Sequence, residues 1–167
     1  NPHTIALVLK EIARRAITLI KNERFSSEYR IDEKSVNYKS EQDFVTSADK
    51  KAQDLYVKMI QENFPGFGII GEENNLMIPC TLRGKNLCFF IDPLDGTKAY
   101  IRKQSHSTST MLALCDMDTM EYLACVIGDI NTGEIYYFKP GSEKVYRVTS
   151  FKEYEILSVD KKPLSEQ

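Results

Sequence analysis

Apolar residues recur at helical spacing near the start of the chain. Ile5, Val8, Leu9, Ile12, Ala16, Leu19 and Ile20 share one face of residues 4–21, and Lys10, Glu11, Arg14 and Arg15 share the other. That spacing predicts an amphipathic helix. Residues 22–41 are polar, anchored only by Phe25, Tyr29, Ile31, Val36 and Tyr38, and read as a mobile loop with one short strand around 35–38. A second amphipathic helix is expected from Asp49, carried by Ala52, Leu55, Tyr56, Met59 and Ile60 and ending before Phe64-Pro65-Gly66. The pattern then changes to short runs. Residues 67–70 read as a buried strand ending in Gly71-Glu72-Glu73, residues 74–85 as an irregular connection, and Phe89-Phe90-Ile91 as a second apolar run at strand length. A short helix is expected over 98–103, buried through Ala99, Tyr100 and Ile101. Strand patterns follow at 107–115, 122–130, 134–138 and 144–148, separated by turn residues at 116–119, 131–133 and 140–142. Strand and tight turn in alternation predict an antiparallel meander. Beyond Thr149 the pattern fades into charged residues.

Composition narrows the class. A chain of 167 residues can bury a real core as one domain but is short for two. With 42% hydrophobic and 28% charged residues it reads as globular rather than disordered. A net charge of −2 gives no general surface for nucleic acid or membrane, and no apolar run reaches the length of a membrane span. No basic, apolar and cleavage-site sequence marks a signal peptide. Cys80, Cys88, Cys115 and Cys125 lack C-x-x-C spacing and are expected as reduced, mostly buried thiols of a cytoplasmic protein.

The chemistry concentrates in Phe89-Phe90-Ile91-Asp92-Pro93-Leu94-Asp95-Gly96-Thr97-Lys98. An apolar strand runs into two carboxylates three residues apart, where hard oxygen ligands can converge on Mg²⁺. Pro93 fixes its own φ and biases the residue before it toward extended geometry, so the chain is expected to turn there and aim the Leu94 carbonyl inward. Gly96 permits close backbone approach, and N–H groups opening a helix suit an anion. A bare D-x-x-D has a plainer reading, an acidic turn in which Asp95 caps the next helix. Asp49, expected at a helix N-terminus, is likewise favourable there without any function. Glu72 and Glu73 alone would pass for a solvated pair, and Lys39 for a solvated lysine, although each lies close to the other carboxylates in sequence or at a strand tip. Asp116 and Asp118 read as turn chemistry. His3 and His106 are the only histidines and no P-loop lysine motif is present, which argues against a Ser-His-Asp device, a zinc site or a nucleotide-binding loop.

The full D-P-L-D-G-T string at 92–97 resembles the signature of the lithium-sensitive, Mg²⁺-dependent phosphatases. These include the inositol monophosphatases, the 3′(2′),5′-bisphosphate nucleotidases (CysQ-like) and the inositol polyphosphate 1-phosphatases. Asp43-Phe44-Val45-Thr46-Ser47-Ala48-Asp49 before a helix and Gly71-Glu72-Glu73 after a strand resemble that family's other two signatures, in order. The resemblance implies roles. Glu72, Asp92, the Leu94 carbonyl and Asp95 would hold two or three Mg²⁺ ions, sensitive to Li⁺. Gly96 and Thr97 N–H groups would grip the phosphate, Asp49 with Thr97 would orient the attacking water, and Lys39, Glu73 and Lys98 are further candidates. The implied reaction is hydrolysis of a phosphomonoester, with metal ions neutralising phosphate oxygens and stabilising the departing alkoxide.

D-G-T-K followed by Tyr100 resembles the nucleotidases more than the inositol monophosphatases, which points to 3′-phosphoadenosine 5′-phosphate, with inositol phosphates as the alternative. The implied fold is α+β, a layered α-β-α-β-α arrangement of which this chain supplies two helices on a large, mostly antiparallel sheet. Residues 1–150 would form the metal-binding phosphatase domain and 151–167 the start of a connection onward. The family's W-D-x-A-like motif, whose Asp completes a second metal site, has no counterpart, for the chain has no Trp. A non-catalytic half-domain that binds metal and phosphate is therefore the competing class. An apolar face left without that second half would invite a homodimer.

Overall fold

The computed structural model describes residues 1–31, 38–101 and 106–156, with side chains described outside 25–31, 38–46 and 101. Between His3 and Phe64 the sequence contains neither Gly nor Pro, and the described residues of this stretch form two long helices: α1 (Pro2–Ile31) and α2 (Tyr38–Asn63). Of the loop expected over 22–41, residues 22–31 and 38–41 are helical, and 32–37 lie outside the described residues. Sparse apolar residues hid this from a periodicity reading, whereas the lack of any breaker permits it. The short strand expected at 35–38 falls outside the described residues except for Tyr38, which opens α2. Asp49 consequently lies well inside α2 and not at its N-terminus, so the helix-end reading of that carboxylate is withdrawn.

Among the described residues eight strands follow: β1 (Gly68–Gly71), β2 (Met77–Ile78), β3 (Leu87–Asp95), β4 (Ser109–Asp116), β5 (Glu121–Asp129), β6 (Ile135–Phe138), β7 (Val145–Val148) and β8 (Glu153–Ile156). They form one sheet in the order β2-β1-β3-β4-β5-β6-β7-β8. Every pairing is antiparallel except β1 with β3. The sheet with its two long helices is the α+β architecture expected from the sequence. The meander from β4 to β7 matches its predicted strands, and Asp116 Oδ1 accepts the N–H groups of Asp118 (3.0 Å) and Thr119 (3.4 Å) at the first hairpin tip, as turn chemistry requires. β8 extends the sheet beyond the point where the sequence pattern fades.

Both long helices cover one face of the sheet. Leu9, Ile12, Ala16, Tyr56 and Ile60 from the helices meet Ile69, Phe89, Ile91, Leu112, Leu114 and Val126 from the strands. A smaller core of Ile20, Ala52, Leu94, Tyr100 and Ile130 lies beside it. Tyr100 belongs to the short helix α3 (Thr97–Ile101), and its hydroxyl donates to the Ile20 carbonyl of α1 at 2.9 Å. Lys10 is almost buried on α1, donates to Glu153 at 2.8 Å and stands 4.5 Å from the centre of the Tyr137 ring, which ties the last strand to the first helix. The four cysteines are free thiols. No helix of the described residues is long and apolar enough to cross a membrane.

Candidate active site

Strand register brings the first two carboxylates together. Gly71 of β1 pairs with Ile91 of β3 in parallel, so Glu72 and Asp92 are the next residues along two adjacent strands running the same way. Alternation puts Ile91 in the core beneath the helices and turns Asp92 to the other face. There a cleft of about 420 Å³ is lined by Glu72 and Asp92 with Ile70, Phe90, Met111 and Tyr122.

Pro93 does not turn the chain. β3 continues to Asp95, and the register with β4 shifts between Asp92 and Asp95. A proline has no N–H to give to the ladder, so its natural place in a strand is such an irregularity. The shift leaves Leu94 buried in the smaller core and sets Asp95 beside Ser109, whose hydroxyl donates to Asp95 Oδ2 at 3.3 Å. Gly96 follows with φ +79°, and a Cβ there would overlap the Ser107 carbonyl oxygen. Only glycine fits that approach. The Thr97 hydroxyl donates to the Leu94 carbonyl at 3.0 Å and not to Asp49, the residue with which it would orient the water by resemblance. Lys98 is exposed on α3, and the side chain of Lys39 lies outside the described residues.

Asp49 reaches the group from α2. It is only 5% exposed, and burial first, then Glu73, Glu72 and Asp92, raise its pKa from 3.8 to about 7. Asp92 is raised to about 6 by burial, by Glu72 and by Asp95, against a lowering by the Leu94 N–H. Asp49, Glu72, Glu73, Asp92 and Asp95 are therefore linked in one chain of like-charge interactions. One oxygen of Asp92, Oδ1, is buried with no hydrogen-bond partner. A buried acceptor without a donor, among like charges, is the environment a hard cation would satisfy. Among the described residues no three carboxylate, imidazole or thiol groups stand close enough to share one ion, so closing around a cation requires side-chain movement. The chemistry of the donor set fits Mg²⁺.

Sequence reading missed the residues that support these carboxylates. Gln53, one helical turn after Asp49, bonds the Glu73 backbone twice. Tyr56, a further turn nearly on, bonds the Thr110 hydroxyl at 2.5 Å with both side chains fully buried. Gln53 alone carried a visible signal, a polar residue on the apolar face of a helix.

The chain matches the inositol monophosphatase family over residues 1–166. It is 37% identical over 82 residues to Nus factor SuhB of Pseudomonas aeruginosa, a stretch covering 49% of this chain and 30% of that one. It is 39% identical over 62 residues to inositol-1-monophosphatase of Bacillus subtilis, 37% of this chain and 23% of that one. In three dimensions it resembles Mycobacterium tuberculosis SuhB with a TM-score of 0.70 at 17% identity, over 96% of this chain and 54% of that structure. The chain thus spans about half the length of that solved structure, and the curated relatives align over less than a third of theirs. With the family match running nearly end to end, the chain belongs to the inositol monophosphatase family.

Proposed function

We propose that this chain is the metal- and water-handling part of a Mg²⁺-dependent phosphomonoester hydrolase. The observation that carries this is the gathering of Asp49, Glu72, Glu73 and Asp92, with one buried Asp92 oxygen lacking any donor. Glu72, Asp92, the Leu94 carbonyl and Asp95 would hold two or three Mg²⁺ ions, for which Li⁺ competes. When bound, the ions neutralise phosphate oxygens and stabilise the departing alkoxide. Asp49 is suited to holding a proton of the attacking water, since its carboxyl titrates near neutral pH. Thr97 joins it once its hydroxyl leaves the Leu94 carbonyl, and the Gly96 and Thr97 N–H groups receive the phosphate. Lys39, Glu73 and Lys98 are placed near enough in sequence to contribute charge. Residues 1–150 carry this machinery, and β8, within 151–167, adds the last strand to the same sheet.

The proposed substrate is 3′-phosphoadenosine 5′-phosphate, on the strength of Asp95-Gly96-Thr97-Lys98 followed by Tyr100. Inositol phosphates are the second reading, favoured by the name of the Bacillus subtilis relative. The test is phosphate release from 3′-phosphoadenosine 5′-phosphate and from inositol 1-phosphate, with Mg²⁺, with added Li⁺, and with Asp92→Asn as control. Li⁺-sensitive turnover of the nucleotide alone supports the full proposal. Turnover of inositol phosphate alone replaces its substrate. Mg²⁺ binding without turnover leaves a metal-binding half-domain, and neither binding nor turnover overturns the reading.

A further inference from the structure

Gln53 takes no part in the chemistry above, yet it is only 6% exposed and its amide is spent entirely on one neighbour. Nε2 donates to the Glu73 carbonyl at 2.9 Å, and Oε1 accepts the Glu73 N–H at 3.1 Å. Two bonds to one residue fix both its position and its orientation. The segment they hold is the turn joining β1 to β2, closed by the Gly71 N–H on the Leu76 carbonyl at 3.0 Å and the Leu76 N–H on the Glu73 carbonyl at 3.3 Å. Glu73–Asn75 is a single 3₁₀ turn, and Asn74 and Asn75 both sit at positive φ, +57° and +51°. Asparagine tolerates that region but does not prefer it, so a clamp from outside the turn helps to hold its shape. Gly71 makes the clamp possible: a Cβ there would lie 2.5 Å from Gln53 Oε1. Asp49 and Gln53, four residues apart, share one face of α2. The same helix therefore presents a carboxylate to the site and grips the backbone that carries Glu72 and Glu73.

We propose that Gln53 is a positioning residue: its amide clamps the Glu73 backbone to α2 and so sets Glu72 and Glu73 against Asp49 and Asp92 for divalent-cation binding. This rests on the carboxylate group being a metal site. Neither an acidic nor an apolar side chain of similar length can make both bonds. A carboxylate at 53 lacks the donor for the Glu73 carbonyl, and an apolar chain lacks both groups.

Two variants test it, each measured by Mg²⁺ calorimetry, thermal unfolding and amide hydrogen exchange. Gln53→Met keeps length and packing but removes both bonds. Its Mg²⁺ affinity is expected to fall about tenfold or more, the usual consequence of losing a group that orients a ligand, while the melting temperature without metal moves little. Exchange at the Glu73 amide accelerates in the same variant. Gly71→Ala reaches the clamp from the other side, by displacing Oε1, and is expected to weaken Mg²⁺ binding likewise, which keeps the test open if the first variant fails to fold. Gln53→Glu retains the acceptor and is expected to preserve protection at the Glu73 amide. Wild-type binding of Mg²⁺ that both Gln53→Met and Gly71→Ala reproduce would overturn the positioning role alone. So would affinity lost only in step with the melting temperature. A wild-type chain that binds no Mg²⁺ overturns the metal-site reading and the positioning role together.

Discussion

Asp92 offers a perturbation whose effect should change sign with the solution. Burial, Glu72 and Asp95 move its titration from 3.8 to about 6, so at pH 7 the metal-free fold carries this carboxylate ionised at a cost. At about 1.4 kcal/mol per decade in acidity the displacement corresponds to about 3 kcal/mol. The side chain is only partly buried, and solvent screening brings the usable figure down to about 1–2 kcal/mol. Asp92→Asn keeps the shape and removes the charge. Without metal it should therefore stabilise the protein by roughly 1 kcal/mol, less any cost from misplacing the new amide. With Mg²⁺ at a hundredfold excess over its dissociation constant, the wild type gains about 2.7 kcal/mol and the variant far less. The order of stabilities reverses. Urea unfolding of both proteins at pH 7, in chelator and then in Mg²⁺, reads the four free energies directly. A variant that is clearly less stable in chelator, or that gains as much from Mg²⁺ as the wild type, refutes the reasoning.

The Asp49 carboxyl, raised to about 7 in the fold, binds its proton more tightly there than in the unfolded chain. Its contribution to stability is thus fully present below about pH 4 and is lost progressively as the pH rises toward 7; unfolding of metal-free protein across that window should show the fall, and Asp49→Asn should flatten it. Tyr56→Phe strands the Thr110 hydroxyl in a site with no water access, at about 1–3 kcal/mol, and Thr110→Val does the same to Tyr56. The double variant should cost less than the two singles added, and simple additivity in denaturant unfolding would count against the bond. Gly96→Ala forces a Cβ into the Ser107 carbonyl at a positive φ, so it should lose more than about 1 kcal/mol and weaken Mg²⁺ binding with it, by the same assays.

Much of this molecule is written in local patterns. The face of α1 from Ile5 to Ile20, the strands of the meander and the three acidic motifs could all be read along the chain, because each depends on residues a few positions apart. Other features could not. The helical state of residues 22–31 and 38–46 escapes a periodicity argument, since their few apolar residues leave the stripe too faint. β8 escaped because its Glu153-Tyr154-Glu155-Ile156 is largely exposed and draws its order from β7 and from Lys10. Pro93 suggested a turn, whereas a strand can carry a proline where the ladder slips. The supports of the site are the least legible of all. Gln53 and Ser109 act on partners 20 and 14 residues away, and although Gln53 stands out as a polar residue on an apolar helix face, nothing in sequence names either partner.

The lone parallel pairing in the sheet bears on how fast the site can form. Antiparallel neighbours from β4 to β8 need only close short hairpins, but β1 and β3 must come together side by side across the whole connection that carries β2. Pairings of that kind pay their loop-closure entropy before they gain contacts, and they form slowly. Glu72 and Asp92 are brought beside each other only when this step is complete, and they repel as it happens. Assembly of the acidic group is therefore expected late in refolding, with divalent cations accelerating that last phase. Pulsed amide exchange, following Ile70 and Gly71 against the meander, would show protection at β1 arriving together with the meander if the expectation is wrong.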